Sequence, residues 1–131
     1  MKRILIDTNA YAAFKRNDLV ALEVVRSSEH IGINMVVLGE LYSGFKGGSR
    51  EARNRKELAQ FLDSPRVETI LIDEETAEFY AKIFWDLKKK GKPIPGNDLW
   101  VAASAMRHGL ALFTYDSHFR NIDGLLLREG V

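Results

Sequence analysis

Short apolar segments alternate with longer segments of helical periodicity along this chain, and this alternation restricts the fold more than any other feature. Continuous apolar runs such as residues 4–6 and 110–113 are typical of strands buried on both faces. Strands that alternate with helices favour a mostly parallel sheet. The sequence therefore predicts an α/β fold with a small parallel β-sheet sandwiched by helices, with strands at residues 3–6, 31–33, 67–72, 110–114 and 125–127.

Helix boundaries are predicted from the residues that cap helix ends. Side chains of Asp, Asn and Ser accept hydrogen bonds from the free backbone N–H groups of a first turn, and glycine commonly follows a last turn. Gly91 and Gly109 are predicted to end two of the helices. The predicted N-caps are Asn17 and Asp18, Ser49, Asp73, and Asn97 or Asp98.

The helix that follows Asp73 has an apolar stripe at helical spacing, which is predicted to face the core. Phe79 and Trp85 lie outside that stripe, so the sequence predicts that they cover a partner. The stripe consists of Ala77, Tyr80, Ala81, Phe84 and Leu87.

Composition narrows the class of protein. A chain of 131 residues fits one domain, so residues 1–131 are expected to form a single unit. The absence of cysteine excludes disulfides, thiolate metal sites and cysteine nucleophiles. No apolar run approaches the roughly 18–20 residues that span a bilayer, so a cytoplasmic protein without membrane contact is expected. With a net charge of only +1, binding of a polyanion needs local charge or bound cations.

Four acidic residues are predicted to meet at one edge of the sheet. Asp7 and Asp116 follow two predicted strands, and ligands of parallel sheets bind beyond the carboxyl ends of the strands. Glu40 and Asp98 each share a predicted helix face with apolar residues, so both carboxylates project toward the interior. The edge from which the Asp98 helix begins is left open by the sequence.

Buried carboxylates need a cation, a base or a raised pKa. One or two shared divalent cations explain all four acids together, and Mg²⁺ or Mn²⁺ suits oxygen ligands of this kind. Such ions polarise a phosphodiester and activate an attacking water. Taken singly, helix capping also explains Asp7 and Asp98, and an ordinary turn explains Asp116.

The four acids lie within segments that resemble the motifs of PIN domains. The segments are ILIDTN (residues 4–9), VLGEL (37–41), NDLWVAA (97–103) and LFTYDSHF (112–119), and they span nearly the whole chain. In size the chain is most similar to the VapC toxins of bacterial and archaeal toxin–antitoxin pairs. Some relatives have asparagine near the fourth motif, where this chain has Tyr115 or Ser117.

This resemblance implies a metal-dependent endoribonuclease that cleaves RNA, usually works as a homodimer and is restrained by a partner antitoxin. It implies Mg²⁺ or Mn²⁺ as the cofactor. The residues that it places at the metal site are the acids Asp7, Glu40, Asp98 and Asp116, with Thr8, Asn97 and Thr114 as supporting polar residues.

Two further sets of residues have open interpretations. His118 lies two residues after Asp116 and either assists proton transfer or has a structural position. A basic set either guides an RNA backbone or forms a solvated surface. This set consists of Lys46, Arg50, Arg53, Arg55 and Lys56.

Three other functions are compatible with an acidic edge. A housekeeping RNA-processing nuclease of the PIN type would use the same chemistry on another substrate. A phosphotransfer protein of the haloacid-dehalogenase or receiver type would phosphorylate Asp7, but position 9 is Asn where the dehalogenase type needs a second aspartate. A metal-stabilised binding module would need cations to fold and would not cleave RNA.

Overall fold

The computed structural model describes residues 2–130 of the chain. A pair of helices separates each of the first three strands from the next, and a short 3-10 helix separates the fourth strand from the fifth. The strands are β1 (Arg3–Ile6), β2 (His30–Asn34), β3 (Val67–Ile70), β4 (Ala111–Thr114) and β5 (Leu127–Glu129). The helices are α1 (Thr8–Lys15), α2 (Leu19–Ser27), α3 (Met35–Gly47), α4 (Glu51–Leu62), α5 (Glu74–Lys90) and α6 (Gly96–His108), and a short 3-10 helix covers Ser117–Asn121. No helix within residues 2–130 has the length and apolar character needed to cross a membrane.

The strands form one parallel sheet in the order β3-β2-β1-β4-β5. β1 is central, and its Leu5 pairs with Gly32 of β2 on one side and Leu112 of β4 on the other. The predicted α/β fold with a helix-flanked parallel sheet is confirmed. Because the carboxyl ends of parallel strands share an edge, the residues that follow β1 and β4 lie close together.

The hydrophobic core lies on both faces of the sheet. Ile4, Leu5 and Ile6 of β1 have no exposed surface, and every residue of β4 is buried. Successive strand side chains point to opposite faces, so burial of consecutive residues requires cover on both sides. The helices supply that cover, which is why these strands read as uninterrupted apolar runs.

Replacing Gly32 by alanine is expected to destabilise the fold by about 1–3 kcal/mol, because the new methyl group would overpack the core. An added Cβ would lie 2.4 Å from Ile70 Cδ1 and 2.9 Å from Leu110 Cδ1, and both side chains are buried. Urea unfolding measures the change in the free energy of unfolding. Gly39→Ala is the matched control, since a Cβ there meets no atom within 4 Å. Equal stability of the two variants would contradict the close packing at Gly32.

The predicted N-caps of two helices are confirmed and that of a third is wrong. Asp18 and Asp73 each accept a hydrogen bond from the backbone N–H of the third residue of their helix. Ser49 does not cap α4, which begins at Glu51 with Arg50 at the N-cap position and no side-chain capping bond. Ser49 lies one residue too early for its hydroxyl to serve the first turn.

Capping of α6 by Asn97 or Asp98 is also wrong. The helix begins at Gly96, and Pro95 occupies the N-cap position without a side-chain hydrogen bond. Both polar residues therefore lie inside the first turn, where their side chains are free to contact other elements. Strand boundaries differ as well: β3 ends at Ile70 rather than at residue 72, and β5 covers Leu127–Glu129 rather than residues 125–127. β2 extends one residue beyond its predicted range at each end, and β4 begins one residue later than predicted.

The buried face of α5 differs from the predicted stripe. Its buried residues are Thr76, Ile83 and Leu87, whereas Phe84 is 39% exposed. Thr76 can be buried because its hydroxyl donates to Asp73 Oδ1 at 2.8 Å, so a residue that reads as polar takes a core position. Trp85 is 54% exposed and Phe79 is partly buried, and the cover of these two residues by a partner stays a prediction. Of the predicted stripe, Ala77 and Ala81 are exposed as well.

Candidate active site

A cleft of about 310 Å³ opens at the carboxyl edge of the sheet, and all four predicted acids line it. Asp7 follows β1 and Asp116 follows β4, while α3 and α6 contribute Glu40 and Asp98. The start of α6 therefore lies at the same edge as the ends of β1 and β4. Residues that are distant in the sequence meet here because the parallel sheet gathers strand ends at one side.

Asp7 is the most buried of the four acids, with 6% of its surface exposed. Its Oδ1 accepts a hydrogen bond from the backbone N–H of Ala10 at 3.0 Å, so Asp7 caps α1 and also lines the cleft. Burial raises the pKa of Asp7 to about 6, although a hydrogen bond from the Thr114 side chain acts to lower it. The ionised carboxylate therefore lacks solvation that a bound cation can replace.

Glu40 is held by hydrogen bonds to both of its carboxylate oxygens. Thr8 Oγ1 donates to Oε1 at 2.6 Å, and Asn97 Nδ2 donates to Oε2 at 2.6 Å. The donors belong to α1 and α6, so these bonds link α3 to both helices through Glu40. Each oxygen keeps a lone pair that can bind a cation. Thr8 and Asn97 therefore both contact Glu40, and their supporting role at a metal site stays a prediction.

Asp116 lies in the turn between β4 and the 3-10 helix. Its backbone N–H donates to Thr114 Oγ1 at 3.0 Å, and its own carboxylate accepts from the backbone N–H of His118 at 3.4 Å. Asp116 is therefore a turn residue that also lines the cleft. Thr114 is fully buried and contacts both Asp7 and Asp116. Its supporting role at a metal site stays a prediction.

The side chain of His118 lies between Asp98 and Asp116. Nε2 is 3.0 Å from Asp98 Oδ2, and Nδ1 is 3.0 Å from Asp116 Oδ1. Burial raises the pKa of Asp98, while the neighbouring His118 imidazole acts to lower it. The only sequence signal for this arrangement is the two-residue spacing from Asp116, which the 3-10 turn converts into proximity.

The chemistry of this donor set fits a divalent cation. Four carboxylates in one cleft repel one another unless positive charge lies between them. One ligand atom from each of Asp98, Asp116 and His118 lies within 4.8 Å of the others, which is close enough for a single ion. Hard oxygen donors with room for water and phosphate are the ligands of cations that assist phosphodiester chemistry.

The sequence model of the PIN domain matches residues 4–125. The chain belongs to the PIN-domain family. Its PIN-domain relatives include ribonuclease VapC2 of Rickettsia felis, which is 30% identical over 130 residues that cover 95% of this chain and 96% of that protein. Ribonuclease VapC4 of Mycobacterium tuberculosis is 33% identical over 88 residues, which cover 67% of this chain and 68% of that protein.

A solved structure with the same PIN-domain fold is that of VapBC2 from Rickettsia felis bound to a DNA fragment from their promoter. It superimposes with a TM-score of 0.83 at 27% sequence identity, and the match covers 96% of this chain and 97% of that chain. The sheet and the helices that position the acid cleft therefore belong to an arrangement seen in an experimentally determined PIN domain.

The basic residues predicted to guide RNA are partly ion-paired. Lys46 and Arg55 both contact Glu51, and Arg53 lies 4.0 Å from Glu57. Pairing on an exposed helix is typical of a solvated surface and leaves less positive charge for a polyanion. RNA contact by this set stays a prediction.

Proposed function

We propose that this PIN domain is a metal-dependent endoribonuclease and the toxin of a VapBC-type toxin–antitoxin pair. The observation that carries the proposal is the convergence of Asp7, Glu40, Asp98 and Asp116 on one cleft. RNA is proposed as the substrate because relatives that match most of this chain are named ribonucleases. Because the proposed substrate is cellular RNA, we expect the protein to act in the cytoplasm.

The cleft residues suit Mg²⁺ or Mn²⁺ as the cofactor. When bound, the cation supplies Lewis acidity toward a phosphodiester oxygen and toward a nucleophilic water. The protein contributes ligands whose orientations are already fixed: Glu40 by Thr8 and Asn97, and Asp7 by the first turn of α1. Fixed ligands reduce the reorganisation that binding and reaction require.

The proposed partners are an antitoxin and a second copy of the chain. A solved structure from Mycobacterium tuberculosis that resembles this chain is a member of the VapBC family of toxin–antitoxin systems, which supports an antitoxin as the partner. We propose that this antitoxin covers the acid cleft. An arginine side chain pairs well with clustered carboxylates, because its planar donors match their oxygens. An antitoxin that still inhibits fully after all its cleft-facing basic residues are removed would contradict this mode of inhibition.

A cleavage assay tests the proposal. Purified protein free of antitoxin is incubated with end-labelled single-stranded and structured RNAs in Mg²⁺ or Mn²⁺. We expect internal cuts that EDTA abolishes and added cation restores. Inhibition by a small protein encoded next to this one would support the toxin assignment over a housekeeping nuclease. Intact RNA across the panel, with cation still bound, would instead favour a metal-binding module.

Removing a donor to Glu40 is expected to weaken Mn²⁺ binding roughly 10- to 100-fold, the usual effect of losing an outer-shell hydrogen bond. Asn97→Ala deletes the bond to Oε2, and Thr8→Val deletes the bond to Oε1 with little change of shape. Isothermal titration of the cation-free proteins measures the affinity. Asn54→Ala on α4, outside the acid cleft, is the matched control. Unchanged Mn²⁺ affinity in both donor variants would remove Glu40 from the metal site.

A further inference from the structure

The imidazole of His118 presents one ring nitrogen to each of two acids in the cleft. Nε2 lies 3.0 Å from Asp98 Oδ2, yet this buried atom has no aligned hydrogen-bond partner among residues 2–130. Buried polar atoms usually have such a partner, because leaving one unsatisfied costs about 1–3 kcal/mol. We propose that His118 Nε2 is a ligand of the cation held by Asp98 and Asp116, and that it favours transition-metal ions over Mg²⁺.

The other ring nitrogen is placed as it is in metal-bound histidines. Such residues almost always give their second ring N–H to a carboxylate or carbonyl oxygen, which fixes the tautomer. Nδ1 of His118 lies 3.0 Å from Asp116 Oδ1. A proton on Nδ1 faces that carboxylate oxygen, and in this tautomer the Nε2 lone pair is free for the cation. Asp116 is itself fixed by its backbone bond to Thr114. The direction of the imidazole is therefore set by the turn after β4.

The distances agree with one coordination sphere. Neighbouring ligands of an octahedral ion with bonds of about 2.0–2.1 Å lie about 3 Å apart. The separation of His118 Nε2 and Asp98 Oδ2 is 3.0 Å. The ligand atoms of Asp98, Asp116 and His118 all lie within 4.8 Å of one another. A cation between them can therefore contact the ring nitrogen and carboxylate oxygen without a change of backbone.

A nitrogen ligand changes which cation the site prefers. Mg²⁺ takes oxygen ligands almost exclusively, whereas first-row transition metals bind imidazole well. A cleft with carboxylates alone would discriminate weakly between Mg²⁺ and Mn²⁺. With His118 in the coordination sphere, the affinity for Mn²⁺ rises relative to that for Mg²⁺. This inference rests on the metal site of the proposed function and adds to it the identity of one ligand.

Pulsed electron paramagnetic resonance of the Mn²⁺-loaded protein tests the assignment directly, because it detects a nitrogen atom bonded to the ion. We compare the unaltered chain with His118→Gln and with the matched control His30→Gln. His30 begins β2 at the opposite edge of the sheet, where it contacts Glu68. We expect nitrogen coupling in the unaltered chain and in His30→Gln, and its loss in His118→Gln. We also expect Mn²⁺ affinity to fall at least roughly 10-fold in His118→Gln, with a smaller change for Mg²⁺.

The outcomes separate this inference from the proposed function. Mn²⁺ bound in the cleft without nitrogen coupling would overturn the role of His118 and leave the nuclease proposal standing. If the unaltered chain bound Mn²⁺ no better than the Asp98→Asn control, the metal site and the inference would both be overturned. If His118→Gln fails to fold, incorporation of ¹⁵N-labelled histidine into the unaltered chain decides the question. The coupling must then change from ¹⁴N to ¹⁵N, and an unchanged spectrum would overturn the proposal.

Discussion

Asp98→Asn is expected to lower the rate of RNA cleavage roughly 10³-fold, which corresponds to several kcal/mol of lost transition-state stabilisation. The substitution keeps the size of the side chain but removes the negative charge that would hold the cation beside His118. Asp98 lies in the first turn of α6 without acting as its cap, so the helix should form unchanged. Single-turnover cleavage at saturating RNA measures the effect on chemistry apart from substrate binding.

The control for Asp98→Asn is Asp63→Asn, the same chemical change at an exposed carboxylate that ends α4. We expect the control to cleave RNA at the unaltered rate. Circular dichroism and urea unfolding should show that both variants are folded. If Asp98→Asn cleaved RNA as fast as the control did, Asp98 would have no part in holding the cation.

The central strands could be predicted from the sequence because their environment leaves a local signature. β1 and β4 are covered on both faces, so their residues form continuous apolar runs with no polar alternation. β5 lacks this signature, since its three residues are only half-buried. Its position is set instead by pairing with β4, where Leu127 lies beside Leu112. The predicted position of β5 is therefore displaced by two residues.

The start of α6 could not be predicted because contacts distant in the sequence decide what its polar residues do. Capping rules favour Asn97 or Asp98 at the N-cap. In the structure Asn97 instead donates to Glu40, 57 positions away, and Asp98 lies against His118. Both partners come from other elements, so no pattern within α6 predicts them. The free energy gained from a local capping bond is smaller than that gained from a hydrogen bond to a partly buried carboxylate.

The convergence of the acids could be predicted because the sequence pattern indicates both where the strands end and which face of each helix is apolar. What the sequence could not decide was whether Asp7 caps a helix or faces the cleft, and in the structure one side chain does both. Asp7 accepts from Ala10 at the start of α1 and also lines the cleft. The carboxyl edge of a parallel sheet is also where helices begin, so a carboxylate there has one oxygen for the helix and one for a ligand.

Asp7→Asn is expected to stabilise the cation-free protein by up to about 3 kcal/mol at pH 7.5, while it abolishes tight cation binding. Burial raises the pKa of Asp7 from 3.8 to about 6, so at neutral pH the folded state carries an ionised carboxylate in an unfavourable environment. Asparagine removes that charge and keeps an oxygen for the N–H of Ala10, since Asn caps helices as well as Asp does. Urea unfolding in the presence of EDTA measures the difference.

The pH dependence of the free energy of unfolding tests the raised pKa of Asp7 independently, because the direction of the change is fixed by the direction of the pKa shift. A carboxyl group whose pKa is higher in the folded state destabilises that state once it ionises. The unaltered chain should therefore lose stability relative to Asp7→Asn as the pH rises from about 4 to about 6, and the difference should then stay constant. A difference between the two proteins that is independent of pH from 4 to 7.5 would contradict the raised pKa of Asp7.

Asp73→Asn is the matched control, because Asp73 also caps a helix by accepting from the third residue, Thr76. The backbone hydrogen bond from Thr76 and the ion pair with Arg107 lower the pKa of Asp73. Its negative charge therefore favours folding above its ordinary pKa of 3.8, and that contribution is lost as the pH falls. The same substitution should destabilise the protein at pH 7.5 when made at Asp73 and stabilise it when made at Asp7. Opposite signs at two helix caps would show that the charge of Asp7 lowers the stability of the fold whereas that of Asp73 raises it, as expected if Asp7 is retained for function.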